Sequence, residues 1–534
     1  MIYINRFFLN TYNKLRKFYL NSRFYDNKIS KIDNNDLIYK PSPHLFSSLI
    51  KYQKKIRIED FALEEIWKDK TLNTKDYKNL NNFYWFFGLD LKSSKKNTQS
   101  VINNWILNNF KFNSKSWDFD LTAKRVIAWL SCYNLTFEES SKEYRDQFNL
   151  MIKKQTNHLI NEIDKSNIID DKLIGCASII LVGLCYQDEK KYLSFGSTLL
   201  KKISKITLDN YGFPKSRNIK QLILYLKYFI LIREWFKESQ ISIPDHVDET
   251  IYYLGQGYAF VWQNINSDIL YNGNNISDNH IFDNYLKRLG YKFKNNNFDF
   301  GGYIILRNKK ICLTMDAGPP PVTMFSKDYQ SGALSFEIIS NGKKLITNCG
   351  YYKKNNLELN EISKSSAAQN TLIIDDNSSC KFTKINNTFF LKRGLKILKK
   401  NTVFEKDYWK LNVSHDGYQK KYGTIHERLI EFYPELTKFI GTDKIIKKSK
   451  NNYKFDIRFH IQPDVKLMKT QDNKTVLIEL DDEGWKFTCD NYDINIDNGL
   501  YFGNKNLYTE NQNIFISGIS DKQIENIKWE IKRI

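Results

Sequence analysis

Apolar residues return every three or four positions from about Phe83 to Leu289, the period of helices with one buried face. Val101, Ile102, Trp105, Ile106 and Phe110 set the pattern, and Leu121, Val126, Ile127, Trp129 and Leu130 repeat it. Five further segments continue the series: Tyr144–Ile163, Lys172–Tyr186, Lys190–Ile206, Ile219–Phe236 and His246–Trp262. Turn signals separate them, such as Asp209-Asn210-Tyr211-Gly212 and Ile243-Pro244-Asp245. Short connections between such helices predict antiparallel helical hairpins. After Gly290 the period changes to two. Tyr303–Arg307 and Lys310–Met315 flank Asn308-Lys309, and Ser335–Ser340 and Lys343–Thr347 flank Asn341-Gly342, a pair suited to the positive φ angles of a tight hairpin. Asn370–Ile374, Trp409–Val413, Phe455–Ile461, Thr475–Leu480 and Gly484–Cys489 carry the alternation onward. The expected class is α+β and multidomain. Residues 1–80 would form an extension with the first helices, 81–289 a helical domain and 290–534 an antiparallel β-sandwich.

Composition narrows the picture. Trp 10, Tyr 33 and Phe 36 make 15% of 534 residues aromatic, which excludes disorder over most of the length. Gly 23 and Pro 9 are too few for a collagen-like or linker-rich chain. The net charge of +21 suits a polyanionic partner, but Lys and Arg are spread from end to end, with no basic arm for nucleic acid. Seven widely spaced cysteines contain no C-x-x-C pair and read as small buried hydrophobes. Ile2–Leu20 is interrupted by Arg6, Lys14, Arg16 and Lys17, so no cleavable signal peptide is legible, which by default predicts a cytoplasmic protein. The longest apolar stretch, Ile174–Tyr186, is too short to span a bilayer, so no transmembrane segment is expected.

Chemistry-bearing motifs are sparse. The seven histidines form no H-E-x-x-H, and neither phosphate-binding glycine loops nor G-x-S-x-G occur. His415 lies in Ser414-His415-Asp416-Gly417-Tyr418 and His426 in Thr424-Ile425-His426-Glu427-Arg428; the bland reading of each is a hydrogen-bonded strand or turn histidine. Two polar segments stand out: the loop from Asp209 to Asn218, and Asp316-Ala317-Gly318-Pro319-Pro320-Pro321, a rigid turn ending a strand.

These motifs, together with Ser331-Gly332-Ala333-Leu334-Ser335-Phe336-Glu337, Asn348-Cys349-Gly350, Asn370-Thr371-Leu372-Ile373-Ile374-Asp375-Asp376 and Arg458-Phe459-His460, resemble the heparinase II/III-like polysaccharide lyases. Asp120–Leu130 and Arg217-Asn218 resemble the helical part of the same proteins, so the likeness covers roughly residues 80–530. It implies an incomplete α/α toroid followed by a β-sandwich, acting on a uronate-containing polysaccharide in a cleft between them. The implied reaction is β-elimination: a base removes the proton α to the carboxylate, an acid protonates the leaving oxygen, and polar groups stabilise the developing charge. The resemblance nominates Tyr211, Arg217, Asn218 and Gln369 as catalytic, with Tyr225 and Tyr228 as alternative phenols. Asp328, Gln330, Asn348, His415 and Tyr418 are the expected substrate contacts. Family members commonly act in the cell envelope, which leaves the compartment open between envelope and cytoplasm.

The sequence also departs from the family pattern. Its His-x-His is Asp328-Tyr329-Gln330 here, a zinc-binding Asp aligns with Asn348, and His-Asn-Thr has become Gln369-Asn370-Thr371. Neutral Gln and Asn are poor zinc ligands, so neither a metal nor another cofactor is expected. Gly212 stands about where a catalytic His is common. Three functions remain open: a lyase of acidic polysaccharide, a non-catalytic acidic-glycan binder that has lost the family's histidines, and a basic scaffold for nucleic acid or membrane. The third is disfavoured by the even spread of charge.

Overall fold

The computed structural model describes residues 2–31, 37–47, 49, 67, 72–89, 93–186, 190–353, 356–504 and 508–534, with side chains from residue 11 onward. Part of the N-terminal extension expected over residues 1–80, chiefly residues 50–66, therefore lies outside the described residues. The main helices are Lys95–Asn109, Phe119–Ser131, Lys142–Glu162, Ile169–Cys185, Lys190–Thr207, Ile219–Glu238 and Asp245–Tyr258, the last continued by a π-helical turn over Ala259–Gln263. Several start two to five residues before the apolar period does. Side-chain caps extend two of them into polar first turns: Ser94 Oγ accepts from Asn97 N–H, and Ser141 Oγ from Tyr144 N–H. No helix among the described residues is long and apolar enough to cross a membrane.

The chain separates into two compact units, residues 1–206, 224–251 and 280–291 in one, and 207–223, 252–279 and 292–534 in the other. The first is the incomplete toroid of antiparallel helical hairpins. Its core gathers Phe83, Trp105, Trp129 and Phe148, with the Trp105 and Trp129 rings edge to face at 5.5 Å. The fully buried Arg125 stacks over Trp105 and donates to Gln155 Oε1, Asn81 O and Ser116 O, so its charge is spent on bonding the helices together. Glycine sets one helix contact: a Cβ on Gly183 would stand 2.7 Å from the backbone nitrogen of Leu193.

The second unit holds all the described strands. A five-stranded sheet runs in sequence order through β1 (Asp299–Phe300), β2 (Tyr303–Arg307), β3 (Ile311–Asp316), β4 (Phe336–Ser340) and β5 (Lys343–Ile346). Asn341 and Gly342 form its β4–β5 turn with φ of 46° and 81°. The following strands are β6 (Leu372–Ile374), β7 (Lys381–Ile385), β8 (Thr388–Arg393), β9 (Ile397–Phe404), β10 (Trp409–His415), β11 (Thr424–Tyr433), β12 (Lys438–Lys447) and β13 (Tyr453–His460). The last six are β14 (Lys466–Lys469), β15 (Thr475–Leu480), β16 (Glu483–Thr488), β17 (Ile494–Tyr501), β18 (Thr509–Ser520) and β19 (Ile524–Arg533). An eight-stranded sheet has the order β14-β15-β16-β19-β12-β11-β10-β9, a four-stranded one β17-β18-β13-β6, and β7 pairs with β8 alone. Strand β12 alternates buried and half-buried positions along its whole length, the signature of one face against a core. That core contains Phe336, Phe459, Phe487 and Trp529, with Phe336 and Trp529 stacked at 5.4 Å. Gly441 sits opposite Trp529 across the β12–β19 ladder because the indole occupies the space a Cβ would need. The helical domain and antiparallel sandwich expected from the change of period, and the incomplete toroid that the resemblance implies, are thus present.

Candidate functional site

The polar residues nominated by the sequence lie in the second unit, beginning with the loop before helix Ile219–Glu238. Asp209 Oδ1 accepts from the backbone N–H of Tyr211 and of Phe213, both at 2.9 Å, and so closes the loop on its own side chain. Arg217, at the other end, takes a left-handed φ of 59°, which costs a residue with a Cβ about 1–2 kcal/mol. The Tyr303 hydroxyl donates to the Arg217 carbonyl at 2.5 Å and holds the backbone there.

The Arg217 side chain explains the Asp-Ala-Gly-Pro motif. Its Nη2 donates to Asp316 Oδ1 and Gly302 O, each at 2.7 Å; Nη1 donates to Gly318 O at 3.1 Å and Pro319 O at 3.4 Å; Nε donates to Gly301 O at 3.3 Å. All five guanidinium N–H groups are used. A Cβ on Gly302 or Gly318 would come within 2.7 Å of guanidinium atoms, so both positions are glycine to let the group in. Burial opposes the charge, but the Asp316 carboxylate and neighbouring phenols more than offset it, and the Arg217 pKa is raised. Asp316 Oδ2 accepts from Asn272 Nδ2, which also donates to the Tyr303 hydroxyl.

A second cluster centres on the half-buried Asp328. Asn218 Nδ2 donates to Asp328 Oδ2 at 3.0 Å, and the Tyr351 hydroxyl donates to Oδ1 at 3.1 Å. Burial, and then the Asp328 charge, push the Tyr351 phenol well above its ordinary range, so it keeps its proton. Lys364 Nζ donates to the carbonyls of Lys327 and Tyr329 and lies 5.3 Å from the Tyr351 ring centre. Burial lowers its pKa to about 8 despite the opposing pull of Asp328.

Gln330 is engaged at both ends: Oε1 accepts from Gly273 N–H, while Nε2 donates to Gly350 O and Ser363 O. Gln369 donates to the same Ser363 carbonyl at 3.4 Å. Asn348 accepts from Asn370 N–H through Oδ1, and its own N–H donates to Glu337 Oε1. The structure therefore joins Arg217, Asn218, Asp328, Gln330 and Gln369 through Asp316, Asn272, Tyr351 and short backbone segments, with Asn348 tied in beside Asn370.

The remaining candidates stand elsewhere. Tyr211 is 70% exposed, and its ring meets only the edge of Phe300, 6.5 Å between centres. Tyr225 and Tyr228 belong to the helical unit, where the Tyr228 hydroxyl lies 3.1 Å from that of Tyr84. Tyr418 is in the sandwich core and donates to Leu372 O at 2.6 Å. His415 is buried on β10 with Nδ1 accepting from Gly417 N–H at 3.0 Å. Its Nε2 then carries the proton and faces His426 Nδ1 at 3.3 Å, leaving His426 Nε2–H to donate to Asp443 at 2.7 Å. Burial, then His426 and Arg428, hold the His415 pKa well below its usual value, so the relay is neutral at both rings.

Asn272, Tyr303, Tyr351 and Lys364 were not singled out from the sequence. The Asn272-Gly273-Asn274-Asn275 run at the end of the helical pattern was a usable signal for the first, and the Asn356 cap of helix Leu357–Lys364 for the last.

Residues 292–530 match the family described as heparinase II/III-like, C-terminal. Among solved structures, a heparinase III gene product superposes with a TM-score of 0.70 at 14% identity, over 93% of this chain and 87% of its own. A second heparinase III gives 0.68 at 15% identity, over 91% and 80%. A mutant heparan sulfate lyase from Pedobacter heparinus gives 0.66 at 12%, over 91% and 79%. At these identities the likeness is one of fold. Among curated proteins, FtsZ-localized protein C of Caulobacter vibrioides is 23% identical over 246 residues. That match spans 43% of this chain and 42% of the relative, less than half of either. Residues 292–530, a little under half of the chain, thus match the heparinase II/III-like, C-terminal family, and the chain shares the fold of the heparinase III structures.

Proposed function

We propose that this chain binds acidic, uronate-containing polysaccharide on a polysaccharide-lyase fold, and that the residues at the family's catalytic and metal positions hold the fold together instead of cleaving. Arg217 carries the reading. A lyase needs a cation or strong donor free to meet the uronate carboxylate as charge develops, and every guanidinium N–H of Arg217 is committed to Asp316 or a backbone carbonyl. Gln330 and Gln369 stand where the family has histidines and donate to Gly350 and Ser363 carbonyls. The reading calls for no metal, since amide side chains replace the ionisable zinc donors. A net charge of +21 supplies the long-range attraction to a polyanion.

One observation favours the alternative of a working lyase. Asn218, Tyr351 and Lys364 gather around Asp328; the phenol keeps its proton and could serve as acid, and an amine near 8 is suited to act as base. An assay separates the two. Purified protein is incubated with heparan, chondroitin, hyaluronan, alginate and polyglucuronate while ultraviolet absorbance reports the unsaturated uronate that elimination leaves, and binding is measured in parallel by calorimetry. Binding to one of them with flat absorbance is the expected result. A rise in absorbance abolished by Tyr351→Phe would replace this reading with the lyase.

A further inference from the structure

We propose that the sandwich unit carries an anionic-glycan subsite in the open groove between the polyproline turn and the chain from Leu391 to Lys396, closed on its third side by Asp416–Lys420. This inference rests on the reading that the protein binds acidic polysaccharide, and it names where that polymer's carboxylate or sulfate groups are held.

The groove has a volume of about 660 Å³, within the ~300–1,000 Å³ of sites that hold small molecules. Lys392, Arg393, Lys396 and Lys420 line it, against a single carboxylate, Asp416. That carboxylate already accepts from the backbone N–H of Lys396 at 2.6 Å. Among the described residues, none of the four cations forms an ion pair or donates a side-chain hydrogen bond, and the buried Nε of Arg393 has no partner at all. Nearby lysines behave differently: Lys399 pairs with Glu427 and Lys400 with Asp299. Four unpaired cations sharing one concave surface repel each other, a cost that an anionic ligand removes.

The walls are built before any ligand arrives. Thr323 Oγ1 donates to Leu391 O at 3.1 Å, and Leu391 N–H donates to Ser326 Oγ at 2.8 Å, which clamps the turn to the end of β8. Gly394 lies so close to Pro320 that a Cβ would reach its Cγ at 2.9 Å. On the third side, His415 Nδ1 accepts from Gly417 N–H and fixes the backbone between Asp416 and Tyr418. His415, nominated as a substrate contact, is in this reading a positioning residue beneath the groove.

The chemistry of the lining selects a glycan over nucleic acid. No aromatic ring lines the groove, so unpaired bases would find nothing to stack on. The half-buried Pro320 instead presents ring C–H surface that suits the apolar face of a pyranose, beside cations that suit its carboxylate or sulfate.

The test uses the full chain with Lys392, Arg393, Lys396 and Lys420 all changed to glutamine. Binding to heparan sulfate and alginate fragments is measured at low and physiological salt. A control variant carries the same charge change at Lys448, Lys450, Lys528 and Lys532, exposed lysines outside the groove. The groove variant is expected to bind about tenfold or more weakly, with a shallower dependence on salt, and the control to stay within about twofold of the parent. Should the fourfold variant melt early, the single exposed charge reversal Lys396→Glu is expected to weaken binding in the same direction. Equal loss in groove and control variants would overturn the subsite and leave the glycan reading standing. A parent protein that binds no acidic polysaccharide would overturn that reading and the subsite with it. Single-stranded DNA bound as tightly, and lost equally in the groove variant, would overturn the glycan assignment.

Discussion

Two regions of the sandwich unit use positive charge in opposite ways. At Arg217 the guanidinium is buried, paired with Asp316 and wrapped by the carbonyls of Gly301, Gly302, Gly318 and Pro319. In the groove beside Pro320, four cations are drawn together with no partner for their charge among the described residues. Both regions touch the same polyproline turn. The difference shows that a cation's place near a family motif says less about ligand binding than what its donors are already doing. Satisfied donors specify structure, and unsatisfied ones are available to a ligand.

The largest effect that follows is on stability. Arg217→Met leaves the Asp316 carboxylate buried without its counter-ion, and unfolding free energy should fall by roughly 3–5 kcal/mol. Adding Asp316→Leu removes the stranded charge and should recover much of the loss. Chemical denaturation of the two variants and the parent measures both steps. A variant Arg217→Met as stable as the parent would break the comparison, because it would mean the guanidinium is not holding the turn.

An effect of roughly 3 kcal/mol is expected from pH, at another buried group whose donor is committed to the protein backbone. His460 lies at the end of β13, where its Nε2–H donates to the Ala367 carbonyl at 2.8 Å, and burial lowers its pKa to about 4. The unfolded chain binds that proton near 6.5, so the folded state prefers the neutral ring. Its contribution is complete above pH 6.5, declines as pH falls towards 4, and is lost below that. The Asp443 carboxylate acts in the same direction: burial opposes its charge, but Arg428 and His426 more than offset that and hold its pKa down. His460→Gln should therefore flatten the slope of stability against pH between 6.5 and 4 by about one proton. Denaturation midpoints across that range give the slope, and an unchanged slope would show that the ring is not held neutral.

A smaller loss is expected at Gln330. Replacing it by Leu orphans the Gly273 N–H and the Gly350 carbonyl and leaves Ser363 O only the longer bond from Gln369, worth roughly 1–3 kcal/mol. If glycan binding per folded molecule is retained in that variant, the contrast between structural and ligand-facing polar groups sharpens. If it falls with no loss of stability, Gln330 belongs with the groove.

The sequence made one side of this contrast far easier to read than the other. Hairpins such as β4–β5 were legible because Asn341-Gly342 carries its own backbone requirement, and helices because their apolar faces recur locally. The Arg217 pair was not, since Asp316 is 99 residues away and nothing near either residue announces the other. Asp316-Ala317-Gly318-Pro319 was visible as a motif, yet its reason, clearance and carbonyls for an incoming guanidinium, exists only in the fold. Helix Leu357–Lys364 was missed because eight residues are too few to show a period. The groove escaped for a related reason: its cations come from the segment Lys392–Lys396 and from Lys420, more than twenty residues apart, and only the fold brings the two segments to one concave surface.

The smallest expected effect concerns the residue that the loop sequence made most conspicuous. Tyr211 is an aromatic set among polar residues, which drew it into the candidate list, but what holds the loop is Asp209, whose carboxylate accepts from the N–H groups of residues 211 and 213. Those bonds use the Tyr211 backbone, and its ring is 70% exposed with only the edge of Phe300 beside it. Tyr211→Ala should thus change stability by no more than about 0.5 kcal/mol, as exposed positions do. Asp209→Ala removes both acceptors and should cost about 1 kcal/mol or more. Measured side by side by thermal melting, the pair tests whether the loop is organised by its carboxylate or by its ring. A Tyr211→Ala loss exceeding that of Asp209→Ala would give the ring a packing role that its exposure does not suggest.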